Sequence, residues 1–132
     1  MGEIFQGIYK LKKVLVTGHT GFKGSWISMW LKLLGADVTG VALGPPSQPS
    51  HFKVANLSEI IEDKKVDIRN GDELKKLVLQ TQPDFVFHLA AQALVRQSYD
   101  DPVSTYQTNT LGTLNLLEAL RPLKKKCTAR SE

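Results

Sequence analysis

Sulfur is scarce in this chain. Cys127 is its one cysteine, so no internal disulfide can form and a reducing cytoplasm is the expected compartment. Long apolar runs are missing too, with nothing near the roughly 18 residues that a membrane-spanning helix needs. The opening MGEIFQGIYKLKK carries an acid early and has no apolar core ahead of its lysines, unlike a secretory signal. No membrane partner is expected. Positive charge is in excess, and Arg121, Lys124, Lys125, Lys126 and Arg130 crowd the end of the chain. No aromatic residues interleave with them, as a single-stranded nucleic-acid surface would require. Nucleic acid is therefore not an expected partner, residues 123–132 are expected to form a basic, disordered tail, and no metal site is expected.

What the chain does have is glycine in a particular place. VLVTGHTGFKGSW, residues 14–26, sets Gly18, Gly21 and Gly24 at intervals of three between an apolar run and an amphipathic one. KKVLVTG predicts a strand covered on both faces, as in a parallel sheet. Lys23 to Leu34 predicts a helix, with Trp26, Ile27, Trp30, Leu31 and Leu34 at helical spacing and Gly35 as the stop. DVTGVAL predicts a second strand, and the prolines of GPPSQPS exclude helix or central strand after it. KKVDI predicts a short third strand, Asp72 to Gln80 a helix, and DFVFHLA a fourth, wholly apolar strand. Asp101 and Pro102 open a last helix, in which Leu111, Leu114, Leu117 and Leu120 are expected to form a buried stripe. This alternation predicts an α/β fold over residues 1–122. The expected architecture is the N-terminal half of a Rossmann-like doubly wound parallel sheet, about four strands with flanking helices.

A helix that begins at the tip of a strand presents unpaired N–H groups and a partial positive charge. Gly18 would permit the tight turn, Gly21 the close approach of a pyrophosphate, and Gly24 the packing of the helix on the sheet. A dinucleotide site is predicted at Gly18, Thr20, Gly21, Phe22, Lys23 and Gly24. A P-loop is excluded, because no Gly-Lys-Ser/Thr closes the turn and Lys23 precedes its glycine. One common mark of NAD sites is missing. About 20 residues past the glycines an acid usually binds the ribose 2′-hydroxyl, but the second strand ends VALGPPS, leaving Ser47 or the backbone to serve. The residues alone do not separate NAD from NADP.

The spacing G-x-x-G-x-x-G resembles that of the short-chain dehydrogenase/reductase superfamily. DIR at residues 67–69, PPSQPSHF, HLAAQALVRQSYDDP and TNTLGTLNLLEALR extend the likeness. From about Lys13 to Arg121 the chain resembles the CDP-glucose 4,6-dehydratase family, and GHTGFKGSW and AAQALVRQSY are the more selective strings. The resemblance implies a lyase that oxidises C4 of a CDP-hexose by hydride transfer to NAD, removes water across C5 and C6, and returns the hydride to C6. It implies NAD as cofactor, CDP-glucose as substrate of the complete enzyme, and a homo-oligomer. It also implies that Asp67 and Ile68 meet the adenine. Leu89, Ala90, Ala91 and Gln92 would lie along the cofactor where the chain order of the sheet reverses, and the loop running on through Arg96, Ser98 and Tyr99 would border the sugar nucleotide.

Several of these residues have a second reading. Asp67 would equally suit an ion pair with Arg69, and Arg96 one with Asp100 or Asp101. His88, inside an apolar strand, is expected to be a hydrogen-bonded core residue rather than an acid or base. Asn109 is expected to bridge to a neighbouring loop, Gly112 to let its helix approach the sheet, and Trp26 and Trp30 to be core or subunit contacts. In the family, the base is a tyrosine paired with lysine as Y-x-x-x-K, on the helix after a fifth strand. Tyr9, Tyr99 and Tyr106 are not expected to fill that role, so no catalytic residue is expected here. PLKKKCTARSE after residue 121 has no apolar run for a fifth strand. The expectation is an incomplete cofactor domain, inactive alone, whose fourth strand has a bare outer edge. A related epimerase or reductase piece, or a non-catalytic dinucleotide-binding module, are the competing readings.

Overall fold

The computed structural model describes residues 4–123; the predicted tail from residue 124 lies outside the described residues. Its elements run β1 (Lys13–Thr17), α1 (Phe22–Leu33), β2 (Asp37–Ala42), α2 (His51–Val54), β3 (Glu62–Lys65), α3 (Gly71–Thr81), β4 (Phe85–His88), α4 (Val95–Asp100), α5 (Pro102–Tyr106) and α6 (Gly112–Leu120). The strands form a parallel sheet in the order β3-β2-β1-β4. The chain order therefore reverses between β1 and β4, and ligands of such sheets bind beside the strand tips at that point.

The continuous apolar run of β1 is explained by burial on both faces: Val14, Leu15 and Val16 are each 0% exposed. Val14 and Val16 join Leu31, Val38, Phe52, Leu57 and Ile61 on the α1 side, while Leu15 joins Val41, Ile68, Leu74, Leu77, Val78 and Leu116 on the α3–α6 side. Fully burying each such side chain contributes roughly 1.5–3 kcal/mol before chain entropy is counted. The segment before β1 belongs to the first layer. Tyr9 packs edge-on against Phe85 at 5.1 Å, and Phe5 lies 5.5 Å from Trp30.

Four expectations need correction. The third strand is Glu62–Lys65 rather than KKVDI. It pairs with β2 from Thr39 to Ala42, and Val66 to Ile68 leave the ladder to enter a turn. The leucines of the last helix do not form a buried stripe: Leu111, Leu114 and Leu117 are exposed, while Gly112, Leu116 and Ala119 face the core. A period of three drifts round a helix of 3.6 residues per turn, and a wide π turn at Gln107–Leu111 rotates the face further. Trp26 and Trp30 are about half exposed, so neither is a core residue; the sheet-facing side of α1 is Gly24, Ser25, Ser28 and Leu31. Finally, residues 95–100 form a short helix where a loop is expected.

Candidate dinucleotide site at the tips of β1 and β4

The turn between β1 and α1 is held by main chain. The Gly18 N–H donates to the Val41 carbonyl at 2.8 Å, and the Gly21 N–H to the Gly18 carbonyl at 3.1 Å. Thr20 Oγ1 donates to the Leu43 carbonyl at 3.0 Å, fixing the turn to the end of β2. Gly21 then caps α1 with no side chain over its amides, and no acid stands in the first turn. An open helix amide end of this kind attracts anions.

The three glycines are glycine for different reasons. Gly18 has a positive φ of 78°, and a Cβ there would lie 2.7 Å from the Ala90 nitrogen. At Gly24 a Cβ would collide with the Gly18 carbonyl oxygen, so the close approach is to the turn itself rather than to the sheet face. Gly21 is unlike both. Its φ is an ordinary −74°, and an added Cβ would meet only the Gly18 oxygen at 3.4 Å, an ordinary contact. Nothing in the protein demands glycine at 21. What the missing side chain leaves clear is the space in front of the helix amides.

The other wall is the segment after β4. Thr17 Oγ1 lies 2.6 Å from His88 Nδ1 and accepts from the Leu89 and Ala90 N–H groups at 3.1 and 3.2 Å. His88 Nε2 lies 2.9 Å from Thr113 Oγ1, whose own hydroxyl donates to the Asn109 carbonyl at 2.8 Å. These partners assign one tautomer: Nε2–H donates to Thr113, and Nδ1 accepts from Thr17. Burial lowers the His88 pKa from its usual 6.5, as expected for a neutral ring with both nitrogens engaged. His88 is thus the hydrogen-bonded histidine that its apolar strand suggests.

Asn109 completes this wall. Its Oδ1 accepts from the Gln92 N–H at 2.8 Å and its Nδ2 donates to the Gln92 carbonyl at 3.0 Å, the bridge expected of it. The Gln92 amide is itself engaged, with Leu94 and Thr105. Leu89, Ala90 and Gln92 therefore stand in fixed positions against the glycine turn, with Ala91 exposed beside them.

Around β3 the structure makes the ion pair that was one of two readings of Asp67. Arg69 donates to its carboxylate through Nε and Nη2, the latter at 2.6 Å. That guanidinium bonding holds the Asp67 carboxyl below its ordinary range. Asn115 Nδ2 donates to the Ile68 carbonyl at 2.9 Å, and Gly112 gives Ile68 room, since a Cβ there would lie 2.6 Å from its Cδ1. A cleft of about 540 Å³ opens between Asp67, Arg69, Asn70 and Gln107, Leu111, Asn115. Arg96, Ser98 and Tyr99 all lie on α4. Ser98 Oγ donates to the Val95 carbonyl, Tyr99 is 82% exposed, and Arg96 makes no ion pair among the described residues.

Sequence reasoning missed His19. Its ring is fully buried over Gly40, where a Cβ would collide with it, and Nε2 donates to Asp63 Oδ1 at 2.7 Å. Asp63 pairs in register with Gly40, so the glycine inside β2 makes the slot through which the turn reaches β3. A lone glycine inside a strand was the available signal. Lys13 stands four residues after Tyr9, so the Y-x-x-x-K spacing does occur once in the chain. The structure makes no catalytic pair of it, because Tyr9 packs on Phe85 and Phe87, and Lys13 opens β1. Both lie at the end of the sheet opposite the glycine turn.

Comparison with known proteins agrees with this geometry. The model of the family described as GDP-mannose 4,6 dehydratase matches residues 15–131. The chain belongs to this family. A CDP-glucose 4,6-dehydratase of Salmonella typhimurium is 47% identical over 118 residues, covering 89% of this chain and 33% of that protein. Among solved structures, an epimerase from Methanothermobacter thermautotrophicus matches with a TM-score of 0.77 at 34% identity, covering 89% of this chain and 34% of the other. A Thermus thermophilus UDP-glucose 4-epimerase in complex with NAD matches with a TM-score of 0.73 at 35% identity, covering 83% and 34% respectively. The chain thus spans about a third of the length of the relatives it matches. Family membership, the Rossmann-like fold and kinship with nucleotide-sugar dehydratases and epimerases are established together.

Proposed function

We propose that this chain is the NAD-binding part of a nucleotide-sugar 4,6-dehydratase acting on CDP-glucose. The observation that carries the cofactor site is Gly21: its missing side chain serves no contact within the protein, yet it clears the approach to the open amide end of α1. The pyrophosphate would sit there, on the N–H groups of Phe22 and Lys23, with the Lys23 ammonium adding charge. Gly18, Thr20 and Gly24 shape the turn, Leu89, Ala90, Ala91 and Gln92 form the opposite wall, and Asp67 and Ile68 receive the adenine. Asp67 would accept from the adenine amino group while Arg69 holds its carboxylate in place.

When bound, NAD supplies a hydride acceptor for C4 of the sugar and returns the hydride later in the same turnover. This chain's own residues bind and orient; Arg96, Ser98 and Tyr99 on α4 would meet the sugar nucleotide. The tyrosine base and its lysine would come from sequence beyond these residues. The higher identity to a CDP-glucose dehydratase than to the GDP-mannose dehydratases and epimerases supports CDP-glucose over other nucleotide sugars.

Calorimetric titration with NAD, NADP and CDP-glucose tests the reading. Weak NAD binding with little or no CDP-glucose binding is expected. Tight CDP-glucose binding without a cofactor would show the substrate site to be misplaced.

A further inference from the structure

A dinucleotide on the glycine turn leaves one group without an assigned partner, the 2′-hydroxyl of the adenosine ribose. An acid about 20 residues past the glycines usually accepts from it. That place falls at Gly44, where a Cβ would meet nothing within 4 Å, and Leu43 to Asn56 contain no Asp or Glu. The Ser47 hydroxyl donates to the Pro49 carbonyl at 3.2 Å, inside its own loop. Gln48 is exposed and makes no hydrogen bond among the described residues.

His51 is different, because the protein holds it in place. It opens α2, whose start is capped by Ser50 Oγ accepting from the Lys53 N–H at 3.3 Å. Its ring stacks on Trp26 at 4.2 Å and meets Phe22 edge-on at 6.1 Å, and its Nδ1 lies 2.7 Å from Ser25 Oγ. Phe22 and Ser25 belong to the first turn of α1, so the ring stands beside the amide end on which the pyrophosphate would rest. Thr20 ties the glycine turn to Leu43, and the chain from Leu43 leads back to His51. The ring therefore lies between the start of α1 and the loop after β2, the side on which a dinucleotide lays its adenosine ribose.

Hydrogen-bond direction then fixes the ring. Ser25 Oγ donates to the Phe22 carbonyl at 2.9 Å, and a hydroxyl has one hydrogen to give. Nδ1 must therefore carry a hydrogen and donate to Ser25. In the neutral ring this leaves Nε2 as a bare acceptor. It has no partner among the described residues. Nor is it buried, since the one buried side-chain atom without a partner among those residues is His19 Nδ1. His88 is the opposite case, with both ring nitrogens engaged inside the protein.

We propose that His51 Nε2 accepts from the adenosine 2′-hydroxyl in place of the usual acid, and so selects NAD over NADP. The inference rests on the dinucleotide reading of the glycine turn. A 2′-phosphate no longer offers the hydroxyl hydrogen, and it sets its own oxygens against the Nε2 lone pair. The stack on Trp26 and the bond to Ser25 order the ring before the ligand arrives, which lowers the cost of making the contact.

Calorimetric titration of the chain with NAD, 2′-deoxy-NAD and NADP tests this. The 2′-deoxy analogue should bind roughly three- to tenfold more weakly than NAD, the range of one net hydrogen bond. NADP should bind about tenfold more weakly or worse. His51→Phe keeps a ring on Trp26 and loses both nitrogens. NAD should then fall to the level of its 2′-deoxy analogue, while the analogue itself is unchanged. Equal weakening of both ligands would mean a purely structural role, and the proposal would fail. Should His51→Phe not fold, as circular dichroism would show, Ser25→Ala releases Nδ1 and should narrow the gap in the same way. A gap that survives these changes but closes in Gln48→Ala would give the contact to Gln48 instead. NADP bound as tightly as NAD would mean that the ring does not meet the ribose as a neutral acceptor, which also overturns the proposal. NAD binding with no gap to the analogue would sink this inference alone, whereas no NAD binding at all would sink the dinucleotide reading with it.

Discussion

The hydroxyl of Thr17 lies 2.6 Å from the Nδ1 of His88, its register partner on the neighbouring strand. Through this contact the end of β1 grips the end of β4. The Thr17 oxygen also accepts from the two backbone amides that follow His88. The part of the wall nearest the glycine turn, Leu89 and Ala90, is therefore tied to β1 by a single buried hydroxyl. Thr17→Val keeps the shape and removes every one of these bonds. Unpairing buried polar groups costs about 1–3 kcal/mol, so chemical denaturation should show a loss of that size, with NAD affinity falling alongside.

His88 makes stability depend on pH in a definite direction. Its folded pKa lies below the usual 6.5, so the unfolded chain binds more protons near that value and stability rises with pH. The contribution is complete above 6.5 and is lost as pH falls through the folded value. A protonated ring would also carry a hydrogen on Nδ1, forcing Thr17 to stop donating to it. Thermal melts across this window should show the melting temperature fall on acidification, and His88→Gln should flatten that slope. An unchanged slope in the variant would remove His88 as its source.

Gly21 and Gly24 should separate binding from folding. A Cβ at position 21 meets only the Gly18 oxygen, at an ordinary 3.4 Å, and as a poorer cap Gly21→Val should cost only about 1 kcal/mol. It should nevertheless abolish NAD binding in calorimetry, since a branched side chain fills the approach to the helix amides. Gly24→Ala drives a methyl into the Gly18 carbonyl. Overpacking of this kind costs about 1–3 kcal/mol or more, so this variant should melt earlier even without ligand. Equal NAD affinity for Gly21→Val and the parent chain would end the pyrophosphate assignment.

Asn109 should matter beyond its own exposure. Its side chain exchanges two hydrogen bonds with the backbone of Gln92, each worth about 0.5–1.5 kcal/mol net. Asn109→Ala should loosen the segment after β4, seen as faster amide exchange at Gln92 and Leu94. Asn109→Asp keeps the acceptor and loses the donor, so it should fall between the two.

Which features were legible without a structure follows from how local their causes are. An unbroken apolar run marks a strand, so β1, buried on both faces, and β4, half-buried at the edge of the described sheet, stood out, and a glycine turn between strand and helix has its own spacing. β3 was placed too late because EDKK is a polar edge strand, held by its ladder to β2 rather than by its own pattern. The buried face of α6 was misjudged because the π turn before it rotates the helix, and no residue pattern announces such a turn. His19 was passed over because its partner, Asp63, is 44 positions away.

The sequence by itself determined the parallel α/β order, the glycine turn between β1 and α1 and the family, since each rests on apolar periodicity or on residues a few positions apart. Only the tertiary structure decided that Asp67 is held by Arg69, that Thr17 and His88 lock the opposite wall, and that Gly21 alone among the three glycines has no internal reason to be glycine. Those are distances between atoms brought together by the closing of the sheet, and the order of residues along the chain does not specify them.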